Sequence, residues 1–386
     1  MNFILEYLWK YFKRLDKLLL LLCMTASVFS VYLLYTMQVN EINPSVISNR
    51  TWFMQGLTAA AGVIVALIIA AINYRFLSKL WFIYAPIALT LSLLLFVPGL
   101  GMSTEGSTEI NWLNLGFFQI QPSEFVTVAF IMTFSTHLHK VGEKMNQLHH
   151  MLLLCLHAFF PIIIMVLQDN TGAPMLVLFI AITMLFTAGL SWKYILAGIV
   201  ATPVIGYAFW NYYAKEYHKL RILVVLDKEI QEQEILRFFH QQSRGLYALG
   251  SGGLTGQGLY GGDYIHIFAI HNDFIFAYIG MTLGFVGCVL SLLLLLSICI
   301  KLLSAASAAR DSLGRLICCG AFSTVFFHTV INVGMVVAVT PVVGVPLPFI
   351  SAGGSSTLAL YIAIGLSMSV WAHKEKKYHM FYTEKD

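Results

Sequence analysis

In the stretch VLQDNTGAPM, residues 166–175, a carboxylate and an amide, Asp169 and Asn170, sit between two long apolar runs. A carboxylate there could take a proton from a hydroxyl nucleophile as a general base; the plain alternative is an Asp-Asn turn that ends a helix. Other groups capable of chemistry stand in similar surroundings. Ser123 and Glu124 follow a proline in FQIQPSEF, and His271 and Asp273 open HNDFIFAYIG. Each has a structural counterpart, because a serine can cap a helix and a carboxylate favours a helix N-terminus. Gly256, Gly258 and Gly261 spell G-x-G-x-x-G, which in a βαβ unit cradles a dinucleotide. No such unit fits between membrane spans, so tight turns or a backbone surface open to a ligand remain. His328 and Asn332 are one helical turn apart and share a face suited to an interhelical hydrogen bond. His137, His139, His149 and His150 border one loop, either an ordinary interfacial loop or a metal site.

These residues must be positioned by helices in a bilayer. The chain is 58% hydrophobic and 11% charged, with a mean hydropathy of +0.77, which places it among integral membrane proteins. A span needs about 20 mostly apolar residues, and about ten such segments occur, near 18–37, 52–73, 79–98, 123–139, 150–167, 173–190, 192–211, 272–300, 314–338 and 352–372. Lys and Arg fall in the N-terminus, the tail and alternate loops, so both termini are expected in the cytoplasm and Asp169 at the external face. One long external segment, 212–271, carries LRILVVLDKEI and EILRFFHQQS, expected as helices in the interface. Residues 1–17 read as an interfacial N-terminal segment, 18–372 as one ten-span domain and 373–386 as a cytoplasmic tail. A cleavable signal is not visible. The net charge of +4 reflects cytoplasmic loops rather than a nucleic-acid partner. The six cysteines lie in apolar spans and read as small core hydrophobes.

FQIQPSEF, QQSRGLYALGSGGLTGQGL, HNDFIFAYIGMTLGFVG and the string PLPFISAGGSS at 346–356 place polar residues and helix breakers at one face of the bilayer. With the ten-span layout they resemble the SEDS family (shape, elongation, division and sporulation), the RodA, FtsW and SpoVE proteins, over nearly the whole chain. The short termini and NRTWFMQ are most similar to RodA. The resemblance implies an all-α membrane protein that is a peptidoglycan glycosyltransferase polymerising lipid II, an undecaprenyl-linked disaccharide-peptide, at the external face of the cytoplasmic membrane. Its partners would be membrane lipids and a class B penicillin-binding protein.

The resemblance also implies roles for single residues. The family places its base at the external end of span five, where its usual pattern aligns Asn170 with the carboxylate and leaves Asp169 one residue early; both are therefore candidate catalytic positions. Gln121, Ser123, Glu124, Gln168, Arg244, Gly252, Gly253, His271, Asp273 and Ser355 would bind substrate. Thr127 stands where the family often has a lysine, and Asn111 where it tends to have an arginine before Trp112. Compensating charge could come from the long segment, such as Arg237 or Arg244, or from a magnesium or manganese ion held by Glu124, Asp169 or Asp273. Loss of the base and two cations leaves open a catalytically weak or inactive scaffold bound to the penicillin-binding protein. A transporter of lipid-linked precursors is the third reading.

Overall fold

The computed structural model describes residues 13–44, 47–103, 109–114, 116, 119–233 and 239–374. Most of the interfacial segment expected over residues 1–17, the end of the tail, and Arg237 lie outside the described residues. Helices α1 (Lys17–Val39) and α2 (Asn49–Ala71) supply the first two spans. The third is divided: a short α3 (Tyr74–Lys79) turns into α4 (Trp81–Leu93), which carries Pro86 and tightens into a 3₁₀ turn at Leu94–Phe96. Four spans follow, α5 (Pro122–Val141), α6 (Leu148–Leu167), α7 (Gly172–Ala188) and α8 (Trp192–Ala208), the last continued by a π turn to Tyr213. Beyond the long segment come α12 (Ile275–Ser307), α13 (Ser312–Val336) and α14 (Gly354–Ala372).

Two departures from the expected all-helical picture lie at the face that carries the motifs. Between spans three and four the chain forms an antiparallel sheet in the order β1 (Gly101–Ser103), β2 (Ile110–Asn114), β3 (Gln119–Ile120), with Met102 opposite Trp112 and Leu113 opposite Ile120. It holds the head of α5 in place. The long segment folds into α9 (Glu216–Leu226), α10 (Lys228–Gln233) and α11 (His240–Ser251). Its glycine-rich part is bonded to α12 rather than standing free, although Leu254 and Tyr260 stay exposed. Gly284, at φ 66°, breaks α12, and the backbone groups left free by the break are met by the glycine run. Phe285 and Val286 donate to the carbonyls of Gly253 and Leu254, while Gln257 and Gly258 donate to those of Met281 and Thr282. Non-helical backbone at this depth needs protein partners of this kind. The approach is close enough that a Cβ on Gly252 would lie 1.9 Å from the Gly280 oxygen.

The core lies along α2, α12, α13 and α14. A Cβ on Gly365 would meet Ala66 Cα at 2.8 Å, and one on Gly62 would meet the Tyr361 ring at 2.5 Å, the small-residue contacts by which helices approach in lipid. Tyr361, fully buried, shares a hydrogen bond of 2.9 Å with Ser27 on α1. At the other extreme, none of the described residues of α8 is buried.

Candidate active site

The site is built from the heads of α5, α7, α12 and α14 with the loop 338–353 folded over them. The chain leaves α13 at Ala338, in the left-handed region at φ 56°, and Pro341, Pro346 and Pro348 keep the loop that follows from re-forming a helix. Side chains fix it instead. Asn332 Nδ2 donates to the carbonyls of Asp273 and Val345, both at 2.8 Å, and Ser351 Oγ donates to Asn272 O at 2.6 Å. Gln55 joins the same knot by donating to Ser351 O and accepting from Gly353 N. Asn332 thus makes the interhelical bond expected of it, whereas His328 is bonded to Thr324 O, 2.7 Å away on its own helix.

Asp169 and Asn170 both have local partners. Asp169 adopts φ 56°, the left-handed conformation of a turn, and its carboxylate takes Lys215 Nζ at 2.9 and 3.0 Å. Asn170 is buried, and its Oδ1 accepts from Ala173 N in the first turn of α7 at 3.1 Å, a helix-end role. Gln168 donates to the carbonyl and the hydroxyl of Ser92, both at 2.9 Å. The next residue in this chain of contacts is one that the motifs did not mark. Glu109, 8% exposed, accepts from Thr171 Oγ1 at 3.1 Å, Asn111 Nδ2 at 2.8 Å and Arg221 Nη1 at 3.2 Å. Asn111 therefore serves the carboxylate of Glu109.

At the heads of α5 and α12 the carboxylates of Glu124 and Asp273 form no hydrogen bond or ion pair among the described residues. Glu124 does lie in the first turn of α5, where a carboxylate is favoured, but the side-chain caps that could have explained this region are not formed. Gln121 precedes Pro122 at the start of α5 and Ser123 lies inside the helix with no capping bond, so the expectation that it caps is corrected. Phe274 flanks α12, again with no side-chain cap, so Asp273 does not serve that end either. Burial, and then the nearby charge of Glu109, push the Asp273 carboxyl up to about 6. Burial also holds His271 down at about 4, so its imidazole is neutral. Around these groups the buried atoms His271 Nδ1, Asn332 Oδ1, Gln168 Oε1 and Asn111 Oδ1 have no hydrogen-bond partner. Unpaired buried polar atoms are rare enough to mark where water or a polar ligand belongs. Ser355 Oγ accepts from Gln121 N at 3.0 Å, tying the head of α14 to that of α5.

The remaining expectations fall elsewhere. Arg244 donates to His266 O at 2.6 Å on the returning arm of the long segment. Gly252 and Gly253 pack against the α12 kink, about 10 Å or more along the helix from Asp273, and act there as structural residues. Gly256, Gly258 and Gly261 all have positive φ and belong to turns, with no βαβ unit among the described residues. Among the described residues no three His, Cys, Asp or Glu side chains converge to hold a metal ion, so Glu124, Asp169 and Asp273 do not form the cage suggested for magnesium or manganese. The cysteines are free thiols, and His137 and His139 bond to His157 and Ser312.

The compensating cations come from α9. Lys215, His218 and Arg221 are spaced by three residues at the head of this helix; Lys215 reaches Asp169 and Arg221 reaches Glu109, while His218 Nδ1 accepts from Lys215 N and burial lowers its pKa. That spacing was the signal available in the sequence.

The likeness extends well beyond the motifs, since residues 13–376 match the family profile described as cell cycle protein, of the FtsW, RodA and SpoVE type. The chain belongs to that family. This SEDS protein is 34% identical over 291 residues to a probable peptidoglycan glycosyltransferase FtsW of Geobacter sp. (strain M18), covering 72% of its own length and 75% of the relative's. It is 30% identical over 319 residues, 82% and 84% of the two lengths, to peptidoglycan glycosyltransferase MrdB of Escherichia coli (strain K12). Its fold is similar to that of the rod shape determining protein RodA of Thermus thermophilus, with TM-score 0.68 and 23% identity over 94% of this chain and 98% of that one. A chain from a peptidoglycan synthase complex, studied for its coordination of polymerization and crosslinking, gives TM-score 0.78 and 24% identity over 94% and 99%.

Proposed function

We propose that this SEDS protein polymerises lipid II at the external face of the cytoplasmic membrane, with both termini cytoplasmic. The hydroxyl of one lipid-linked disaccharide attacks the anomeric carbon of another. The glycosidic bond forms with inversion, undecaprenyl pyrophosphate leaves, and the hydroxyl proton passes to a carboxylate of the protein. The observation that carries this reading is Asp273: a carboxylate with no partner, held near pH 6, among buried polar atoms that also lack partners. Asp273 is the base in this proposal, because a base must be free and its pKa close to the working pH. Asp169 is occupied by Lys215 and Asn170 by a helix end.

Arg221 and Lys215 receive the pyrophosphate. The Lys215–Asp169 pair is partly exposed, with Lys215 57% exposed, and such a pair is worth about 1 kcal/mol or less. A polyanion can therefore displace Asp169 from Lys215 at small cost, while Arg221 stays on the buried carboxylate of Glu109 and adds the anion to its contacts. Glu124, Gln121 and Ser355, joined at the heads of α5 and α14, line the sugar-binding side. The NRTWFMQ stretch, most similar to RodA, supports a role in cell elongation, and a class B penicillin-binding protein supplies the crosslinking step.

The test is glycan-strand formation from purified lipid II by the protein reconstituted with its cognate penicillin-binding protein. Loss of polymer in Asp273→Asn with retention in Asp169→Asn supports the assignment. Polymer made by Asp273→Asn at the wild-type rate overturns it.

A further inference from the structure

At the face opposite the carboxylates, the α3–α4 turn, the last turn of α5 and the start of α13 surround an open cavity of about 610 Å³. Arg75, Ser78, Lys79, Thr136, His139 and Lys140 line it. Asp311 also lines it but is engaged, since it accepts from Arg75 Nε at 2.7 Å, Tyr74 Oη at 2.9 Å and Gly314 N at 2.9 Å. Lys79 and Lys140 form no ion pair among the described residues, which leaves the cavity with uncompensated positive charge.

One helical turn away along the same helices the lining becomes apolar. A groove of about 320 Å³ runs between Leu77, Ile83, Ile87, Val128 and Met132, open on its lipid side. Tyr84 lines this groove, and its Oη is buried without a hydrogen-bond partner. A cationic pocket, then a lone hydroxyl, then an apolar trough is the order of phosphate, glycerol ester and acyl chain in a phospholipid.

We propose that this surface binds one anionic phospholipid, with its phosphate between Lys79, Lys140 and Arg75, its ester carbonyl accepting from Tyr84, and a chain along the α4–α5 groove. Basic pockets between helices at this depth recognise anionic headgroups in this manner. The site is separate from the carboxylate cluster and does not depend on which sugar substrate that cluster handles.

The test uses the full chain in phosphatidylcholine nanodiscs doped with phosphatidylglycerol, released and weighed by native mass spectrometry. Wild type is expected to retain one phosphatidylglycerol. Lys79→Ala with Lys140→Ala lowers that retention roughly tenfold or more, Lys79→Arg with Lys140→Arg keeps it, and Tyr84→Phe lowers it by a smaller factor. A charge-matched control, Lys144→Ala with Lys193→Ala, removes the same charge elsewhere on that face and leaves retention unchanged. Equal losses in both alanine pairs would mean diffuse attraction and no site. Displacement of the lipid by inorganic phosphate, which then binds in its place, would make the ligand a free anion and overturn the lipid assignment.

Discussion

A carboxylate that is useful as a base is costly to keep, and Asp273 shows both sides of this. Its pKa lies near 6 against an ordinary 3.8, so the proton-accepting form exists above about pH 6. Polymerisation is expected to fall as pH drops through that value, measured as initial rate against pH with a buffer series. Stability runs the other way. A group whose folded pKa is raised contributes most below its unfolded pKa and loses that contribution as pH rises through the folded one. Asp273→Asn should therefore lose about a hundred- to ten-thousand-fold in rate. At neutral pH it should gain up to about 3 kcal/mol in stability, visible as a higher thermal midpoint in detergent. Asn170→Asp is expected to leave the polymerisation rate unchanged, since an aspartate can serve the same helix end; Asn170→Ala should cost about 1 kcal/mol. Polymer yield and thermal midpoint of the two variants separate these outcomes. The sequence made Asp273, Glu124 and the polar motifs visible because charged side chains are rare in a membrane chain. It did not reveal that Lys215, 46 residues away, comes back to occupy Asp169. It also directed attention to Asn111 for the arginine it lacks, whereas Asn111 and Arg221 both contact Glu109. The three-residue spacing of Lys215, His218 and Arg221 could be read, but not which distant carboxylates Lys215 and Arg221 would meet.

Among the elements, the spans were the most legible: seven helices among the described residues meet the length and hydropathy of a span and α4 and α7 are shorter apolar helices, with most helix ends within a few residues of the apolar runs. The glycine run was half legible. Turn chemistry was readable from the residue types, but the partner of those turns, the break in α12 at Gly284, lies outside the run itself. Its tolerance to substitution should be correspondingly uneven. A Cβ on Gly256 would lie 2.1 Å from the Thr282 oxygen in a backbone at φ 81°, so Gly256→Ala should destabilise by roughly 3 kcal/mol or more. Gly261, at φ 74° with open space around it, should cost only about 1 kcal/mol when replaced by alanine. Thermal unfolding of the two purified variants separates a packing role from a turn preference. The sheet β1–β3 escaped notice because its strands are two to five residues long and too short for an alternating pattern to stand out.

Over the whole molecule, burial is divided unevenly among the spans. In the most apolar stretch of α14, 78% of residues are buried, against none in that of α8, which has the lowest hydropathy, 1.3, of the seven helices among the described residues that are long and apolar enough to cross a membrane. This contrast has a consequence for inheritance. A helix that touches neighbours is selected for the order of its residues; one surrounded by hydrocarbon is selected only for their sum, because lipid does not distinguish one arrangement from another. Shuffling the apolar residues of α8 among themselves should leave expression and thermal midpoint unchanged, while the same shuffle in α14 should abolish folding. Along most of its length α8 is written in a code without word order, and its sequence is free to drift wherever composition is conserved.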